Sequence, residues 1–322
     1  MSEDDGWRVY RGNGRPRDVT LPAPPPWRRF DGEVLRPRTI PSESPSSAAM
    51  FQTTPEMIDA VNAALHLRRP LLLTGRPGSG KSSLIESVAS ELRLGRVLRW
   101  HVTSSSALRD ALYLYDALGR LQEYQMTKVA PDISSYLRLG PLGTALLPTD
   151  WPRALLVDEI DKSAIDLPSD LLNIFERGEF EIPELARLPQ ATAEVREDGG
   201  EERFPIVNGK VQCLEFPFVV LTSNGERDFP APFLRRCIQF RMPDPSPELL
   251  RRIVTAHLGK RVAESTESMI EDFVSRAERS RAHATDQLLN AIFIVTRRAP
   301  PQSEERERVV EMLLRELETE LS

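Results

Sequence analysis

The stretch Gly75-Arg76-Pro77-Gly78-Ser79-Gly80-Lys81-Ser82 limits what this chain can fold into more than any other. It matches G-x-x-x-x-G-K-[ST] and lies between an apolar run, Leu71 to Thr74, and a helical-looking segment, Leu84 to Leu92. Strand, glycine-rich loop and helix in that order form a cradle for phosphate. Glycines at 75, 78 and 80 tolerate positive φ and close backbone approach, so successive N–H groups point inward at phosphate oxygens. A helix starting near Lys81 adds the positive end of its dipole. In this reading Lys81 reaches the β- and γ-phosphates of a nucleoside triphosphate, and the Ser82 hydroxyl ligates Mg²⁺. The candidate phosphate-binding set is Gly75, Arg76, Pro77, Gly78, Ser79, Gly80, Lys81, Ser82 and Ser83.

A chain of 322 residues with 40% apolar content buries a real core and ordinarily divides into two domains. Its net charge of −6 and pI near 5.5 give no electrostatic reason to expect a nucleic-acid partner. Arginine pairs at 28–29, 235–236, 251–252 and 297–298 are scattered among acidic residues, and most read as solvated faces. The two cysteines, Cys213 and Cys237, lie in or beside apolar runs without a CxxC partner and read as buried reduced thiols. His66, His101, His257 and His283 lack metal-ligand spacing. No apolar run approaches bilayer length, and the acidic N-terminal stretch lacks the basic-then-apolar form of a signal peptide. A cytoplasmic protein is the expectation.

Residues 1 to 50 are rich in proline and glycine, which rules out long regular elements, yet they carry Trp7, Tyr10, Trp27 and Phe30. One account is an extended arm whose aromatic anchors pack on the neighbouring domain or a neighbouring subunit; the other is a disordered leader. A helix capped by Thr53 or Thr54 precedes Pro70, and strands are expected at 71–74, 97–102, 154–157, 218–222 and 238–240. An amphipathic segment spans Ser105 to Tyr115, and Tyr136 to Gly143 reads as a turn-rich connection entering a short helix. Phe180-Glu181-Ile182 and Lys210 to Cys213 resemble hairpin arms around a long acidic, glycine-containing insert. Beyond the prolines at 243, 245 and 247 the pattern is helical, at 247–258, 266–280, 285–297 and 303–320.

The strongest strand, Ala154-Leu155-Leu156-Val157, ends in Asp158-Glu159. Ligands in parallel sheets bind beyond the carboxyl ends of the strands, so an apolar run closed by two acids meets a catalytic edge. Asp158 is placed to hold Mg²⁺, directly or through water, and Glu159 to orient and deprotonate an attacking water. Asn224 ends another apolar strand, where its amide reaches a γ-phosphate or the lytic water; an asparagine there also reads as a turn former.

GRPGSGKS, LLVDEIDKS, LTSN and PFLRRC, in that order and followed by helices, resemble an AAA+ ATPase. LYLYDALGRLQ, YLRLGPLG and the hairpin insert before LTSN narrow the resemblance to MoxR-type ATPases over about residues 53 to 300. The resemblance implies a three-layer αβα P-loop domain over 51–243 and an all-α lid over 244–322, with the arm over 1–50. It also implies ATP bound with Mg²⁺ at the interfaces of a hexameric ring. Asn224 takes the sensor 1 role, and Arg236 that of an arginine finger acting on the neighbouring subunit, with Arg235 the close alternative.

One departure from the pattern concerns sensor 2. His283-Ala284-Thr285-Asp286-Gln287 has no arginine where relatives often carry one, and Gln287 offers only a neutral amide. Either Arg281 or another basic residue substitutes, or the nucleotide is coupled more weakly to the lid.

The function implied is a chaperone-like remodelling machine acting on a separate protein, frequently one with a von Willebrand factor A domain. A slowly hydrolysing nucleotide-gated scaffold is the alternative. A DNA-directed motor is opposed by the acidic charge.

Overall fold

The structure is a computed structural model, described over residues 7–34, 50–189, 191–244, 246–279, 284–297 and 302–314. In chain order, helix α1 (Pro55–Leu67) leads to β1 (Leu71–Thr74), α2 (Lys81–Glu91) and β2 (Leu98–His101). Next come α3 (Leu108–Leu112), β3 (Tyr113–Tyr115), α4 (Ala117–Thr127), β4 (Leu137–Leu139), α5 (Pro141–Ala145) and β5 (Ala154–Asp158). The run α6 (Leu167–Arg177), β6 (Glu179–Glu181), α7 (Pro183–Ala186), β7 (Thr192–Arg196), β8 (Arg203–Val207) and β9 (Lys210–Gln212) follows. The remainder is β10 (Phe218–Ser223), α8 (Ala231–Leu234), β11 (Ile238–Arg241), α9 (Pro247–Leu258), α10 (Lys260–Ser265), α11 (Glu267–Arg279), α12 (Thr285–Thr296) and α13 (Ser303–Leu313).

The central sheet is parallel throughout, in the order β11-β1-β10-β5-β2. The three inner strands, β1, β10 and β5, are short apolar runs, as strands covered on both faces require, while the edge strands β2 and β11 alternate apolar with polar residues. Their side chains alternate between two cores. Leu71, Leu73, Leu156 and Val220 pack with Met57 and Val61 of α1 and Leu84 and Val88 of α2. Leu72, Leu155, Val157 and Leu221 face the opposite way, toward Leu142, Leu171 and Phe175. Thus α1 and α2 cover one face, and α5 and α6 cover the other.

Local signals set the helix ends. Thr54 caps α1 by accepting from Met57 N–H at 3.4 Å, with Pro55 next in the chain. Gly178, left-handed at φ 62°, ends α6.

The second sheet runs β3-β4-β7-β8-β9-β6. Phe180 pairs with Val211 across antiparallel β6 and β9, as the hairpin reading expects, and the insert between them folds into the hairpin β7-β8. The segment read as amphipathic from Ser105 to Tyr115 is split. It leaves the helix at Tyr113 because Tyr-Leu-Tyr pairs antiparallel with Leu137–Leu139, a contact absent from any local pattern. Helices α9 to α13 share a separate apolar cluster that includes Leu250, Phe273, Leu288 and Ile292.

Residues 7–34 run across the molecule, with Val9 and Tyr10 in the core on the α1–α2 side and Phe30 in the core on the α5–α6 side. Tyr10 is fully buried; its hydroxyl sits 2.8 Å from Ser87 Oγ, and its backbone exchanges two hydrogen bonds with the Asn62 amide. Glu91 on α2 is also fully buried and accepts from the N–H groups of Arg11 and Asn13 at 2.6 and 3.0 Å. A buried carboxylate without such donors is costly, so the arm and α2 depend on each other. Further on, Phe30 stacks on Phe216 with centroids 5.5 Å apart, while Trp7 and Trp27 stay exposed.

Candidate nucleotide-binding site

The loop after β1 enters α2 at Lys81. Around it lies a cavity of about 350 Å³ lined by Pro77, Gly78, Gly80, Lys81, Ser82, Ser83, Asp158, Glu159, Thr222, Asn224 and Asp286. It opens at the carboxyl ends of β1, β5 and β10, as expected for a parallel sheet. A larger cleft of about 610 Å³ lies between α6 and the β6-β9 hairpin. Its cations are already engaged: Lys210 pairs with Glu179 at 2.8 Å and Arg177 with the same carboxylate at 3.8 Å. The smaller cavity therefore has the better chemistry for phosphate.

Lys81 is buried, and its Nζ donates three hydrogen bonds of 2.8 Å, to Gly75 O, Arg76 O and Asn224 Oδ1. Burial pushes its ammonium below the ordinary lysine range, and the carboxylates of Asp161, Asp158 and Glu159 oppose that shift. Ser82 Oγ lies 3.4 Å from Asp158 Oδ1. Both are hard oxygen donors on one wall, a pair suited to Mg²⁺ that completes its shell with water and phosphate oxygens. No group of three or more His, Cys, Asp or Glu among the described residues forms an all-protein metal cage.

Thr222 was not among the residues expected from sequence. Its hydroxyl donates to Asp158 Oδ1 and accepts from Glu159 N–H at 2.9 Å. One side chain on β10 thus fixes both acids at the end of β5. Glu159 has left-handed backbone angles, φ 58° and ψ 47°, a strained conformation for a non-glycine residue and common at functional sites. Its carboxylate pairs with Lys162 Nζ at 2.9 Å and lies 3.7 Å from His101 Nε2. The Glu159 carboxylate holds the Lys162 ammonium above its usual range.

Asp161 braces the other side. Its Oδ2 accepts from the N–H groups of Asn224 and Glu226 at 2.9 and 3.2 Å, while the Arg227 guanidinium donates to Ser163 O at 2.8 Å. The turn after β5 and the turn after β10 are therefore one hydrogen-bonded unit.

Other candidate residues lie elsewhere. Gly75 and Ser79 belong to the loop without lining the cavity. Arg76 turns away, donating to Ala277 O at 2.7 Å and pairing with Asp244 at 3.1 Å. Neither Arg235 nor Arg236 lines the cavity of its own chain; Arg236 pairs with Glu176, and both arginines donate to carbonyls of the α8 segment. Gln287 spends its side-chain oxygen accepting from Ala284 N–H at 2.9 Å, closing the first turn of α12. Arg281 lies outside the described residues. Both cysteines are buried and free.

No protein-family model matches this chain, and no curated protein does. Among solved structures it is similar to domain III of the replication initiation protein DnaA from Thermotoga maritima. The TM-score is 0.43 and the identity 15%, covering 84% of this chain and 98% of that one. The α/β assignment rests on the parallel sheet, the loop and the cavity at its edge. No helix among the described residues is long and apolar enough to cross a membrane.

Proposed function

We propose that this chain is an AAA+ ATPase of the MoxR type that hydrolyses ATP with Mg²⁺ and uses the cycle to remodel or activate a separate protein. The observation that carries this reading is the convergence of Lys81, Asp158, Thr222 and Asn224 on one cavity at the carboxyl edge of a parallel sheet. The triphosphate lies along the loop. Lys81 exchanges its carbonyl contacts for β- and γ-phosphate oxygens. Ser82 and Asp158 would hold Mg²⁺, which when bound offsets negative charge on those phosphates.

Hydrolysis requires a water in line with the γ-phosphorus. Asn224 orients that water or the γ-phosphate, and Glu159 takes its proton as the new P–O bond forms and the bond to the bridging oxygen breaks. To act as the base Glu159 gives up its 2.9 Å pairing with Lys162.

The neighbouring subunit of a hexameric ring supplies Arg236, or Arg235, to the transition state. In this reading residues 51–243 form the nucleotide-binding domain, 244–322 the lid and 1–50 the arm, and proteins with a von Willebrand factor A domain are the first partners to test. A cytoplasmic location is part of this reading, and the acidic net charge gives no electrostatic reason for a nucleic-acid partner.

Two observations favour the second reading, a slowly hydrolysing nucleotide-gated scaffold. The α12 side of the cavity presents a carboxylate, Asp286, and Gln287 is committed to its own helix.

Subunit mixing tests the ring. Arg236→Ala and Lys81→Ala proteins, each inactive alone, should regain ATP hydrolysis when combined, because each supplies what the other lacks. No recovery in rings shown to mix contradicts a finger acting between subunits.

A further inference from the structure

The first turn of α12 sits directly on the phosphate loop. Gly78 is left-handed at φ 68°, and a Cβ added there would lie 2.4 Å from Ala284 Cβ and 3.1 Å from Asp286 Oδ1. The contact is at backbone level, which makes α12 a wall of the cavity. Four charged side chains line that cavity: Lys81 and the carboxylates of Asp158, Glu159 and Asp286.

These carboxylates differ in what offsets them. Asp158 accepts from Thr222 and stands beside Ser82, the oxygen pair suited to a divalent cation. Glu159 is paired with Lys162. Asp286 makes no ion pair among the described residues. Arg76, the loop's other cation, faces away toward Ala277 and Asp244. The field of Asp286 therefore falls on whatever anion occupies the loop.

We propose that Asp286 sets the cavity's preference between nucleotides, its carboxylate over Gly78 weakening the grip on a nucleoside triphosphate relative to a diphosphate. The physical basis is charge. A triphosphate brings one more negative group into a confined site, and a fixed carboxylate opposes that extra charge. Asp286 also suits the positive end of α12, a purely structural role. That role does not distinguish the two nucleotides, whereas the proposed one does.

This inference rests on nucleotide binding at the loop, and calorimetric titration separates the two claims. Wild type, Asp286→Asn and Asp286→Arg are titrated with ADP and with a non-hydrolysable ATP analogue, each with excess Mg²⁺, at low and at moderate salt. Asp286→Asn is expected to tighten the analogue about fivefold and ADP by about twofold or less, a difference that shrinks as salt is added. Asp286→Arg moves the ratio further in the same direction, and the nearly isosteric asparagine carries the test if the arginine variant does not fold. An unchanged ratio of the two affinities, or an analogue bound more weakly by Asp286→Asn at wild-type melting temperature, overturns the role of Asp286 alone. Binding of neither nucleotide by wild type overturns the functional reading and this inference with it.

Discussion

The Nζ of Lys81 stands 2.8 Å from Oδ1 of Asn224, so the glycine-rich loop and the end of β10 are tied together. The amide keeps the buried ammonium partnered, and under the proposed function it releases the ammonium to phosphate. Asn224→Ala removes that partner and a polar group lining the cavity, which the proposed function sets against the γ-phosphate. Turnover is expected to fall about a hundredfold, with a much smaller change in KM. Steady-state phosphate release checks this, and an equal rise in KM without loss of kcat would assign Asn224 to binding alone.

Thr222 joins Asp158 to the Glu159 backbone through one hydroxyl. Thr222→Val keeps the shape, leaves the part-buried Glu159 N–H without its acceptor, and leaves Asp158 Oδ1 only the 3.4 Å contact with Ser82 Oγ. Urea unfolding should show a loss of about 1–3 kcal/mol. Thr222→Ser restores most of it, and hydrolysis follows the hydroxyl.

The parts of the candidate site carry strong local signals in the sequence. The loop has its glycine spacing and its lysine, and the strands ending in Asp158 and Asn224 are apolar runs closed by polar residues. Thr222 lacks such a signal, since a threonine at the end of a β-branched strand reads as strand former rather than as a bridge. Asp286 reads as an ordinary acid in a first helical turn, and its place over Gly78 comes from packing between segments distant in the chain. Arg76 lies in the loop, and its side chain is directed outward by Ala277 and Asp244, partners distant in the chain that no local pattern announces. Strands β3 and β4 were illegible for the same reason, because three-residue strands are stabilised by their pairing more than by their composition.

Tyr10 anchors the arm in the groove between α1 and α2. Tyr10→Ala leaves a large cavity and should cost about 3–5 kcal/mol. Tyr10→Phe loses only the contact with Ser87 and should cost about 1–2 kcal/mol. Equal effects in urea unfolding would place the stabilisation in the hydroxyl rather than in the ring.

Burial pushes the thiols of Cys213 and Cys237 from 9.0 up to about 12, and pushes the Tyr10 hydroxyl upward as well. Each group binds its proton more tightly folded than unfolded. The stability contribution of the two thiols is thus complete below pH 9 and is lost as pH rises toward 12, and that of Tyr10 is lost at still higher pH. In that window each thiol should contribute a slope approaching 1.4 kcal/mol per pH unit, about the linkage limit. Unfolding free energies from pH 8 to 11 should fall more gently when Cys213 and Cys237 are both alanine. Thiol-specific reagents should leave both cysteines untouched in the native protein at pH 8.

Glu159 tests the account most directly. Purified wild type and Glu159→Gln are compared for equilibrium binding of ATP with Mg²⁺ and for single-turnover hydrolysis. The expected result is retained binding with hydrolysis slowed at least about a hundredfold in Glu159→Gln, while Lys81→Ala loses binding. Wild-type hydrolysis by Glu159→Gln, or tight binding by wild type with no turnover at all, would contradict a hydrolytic site built on Asp158, Glu159 and Asn224.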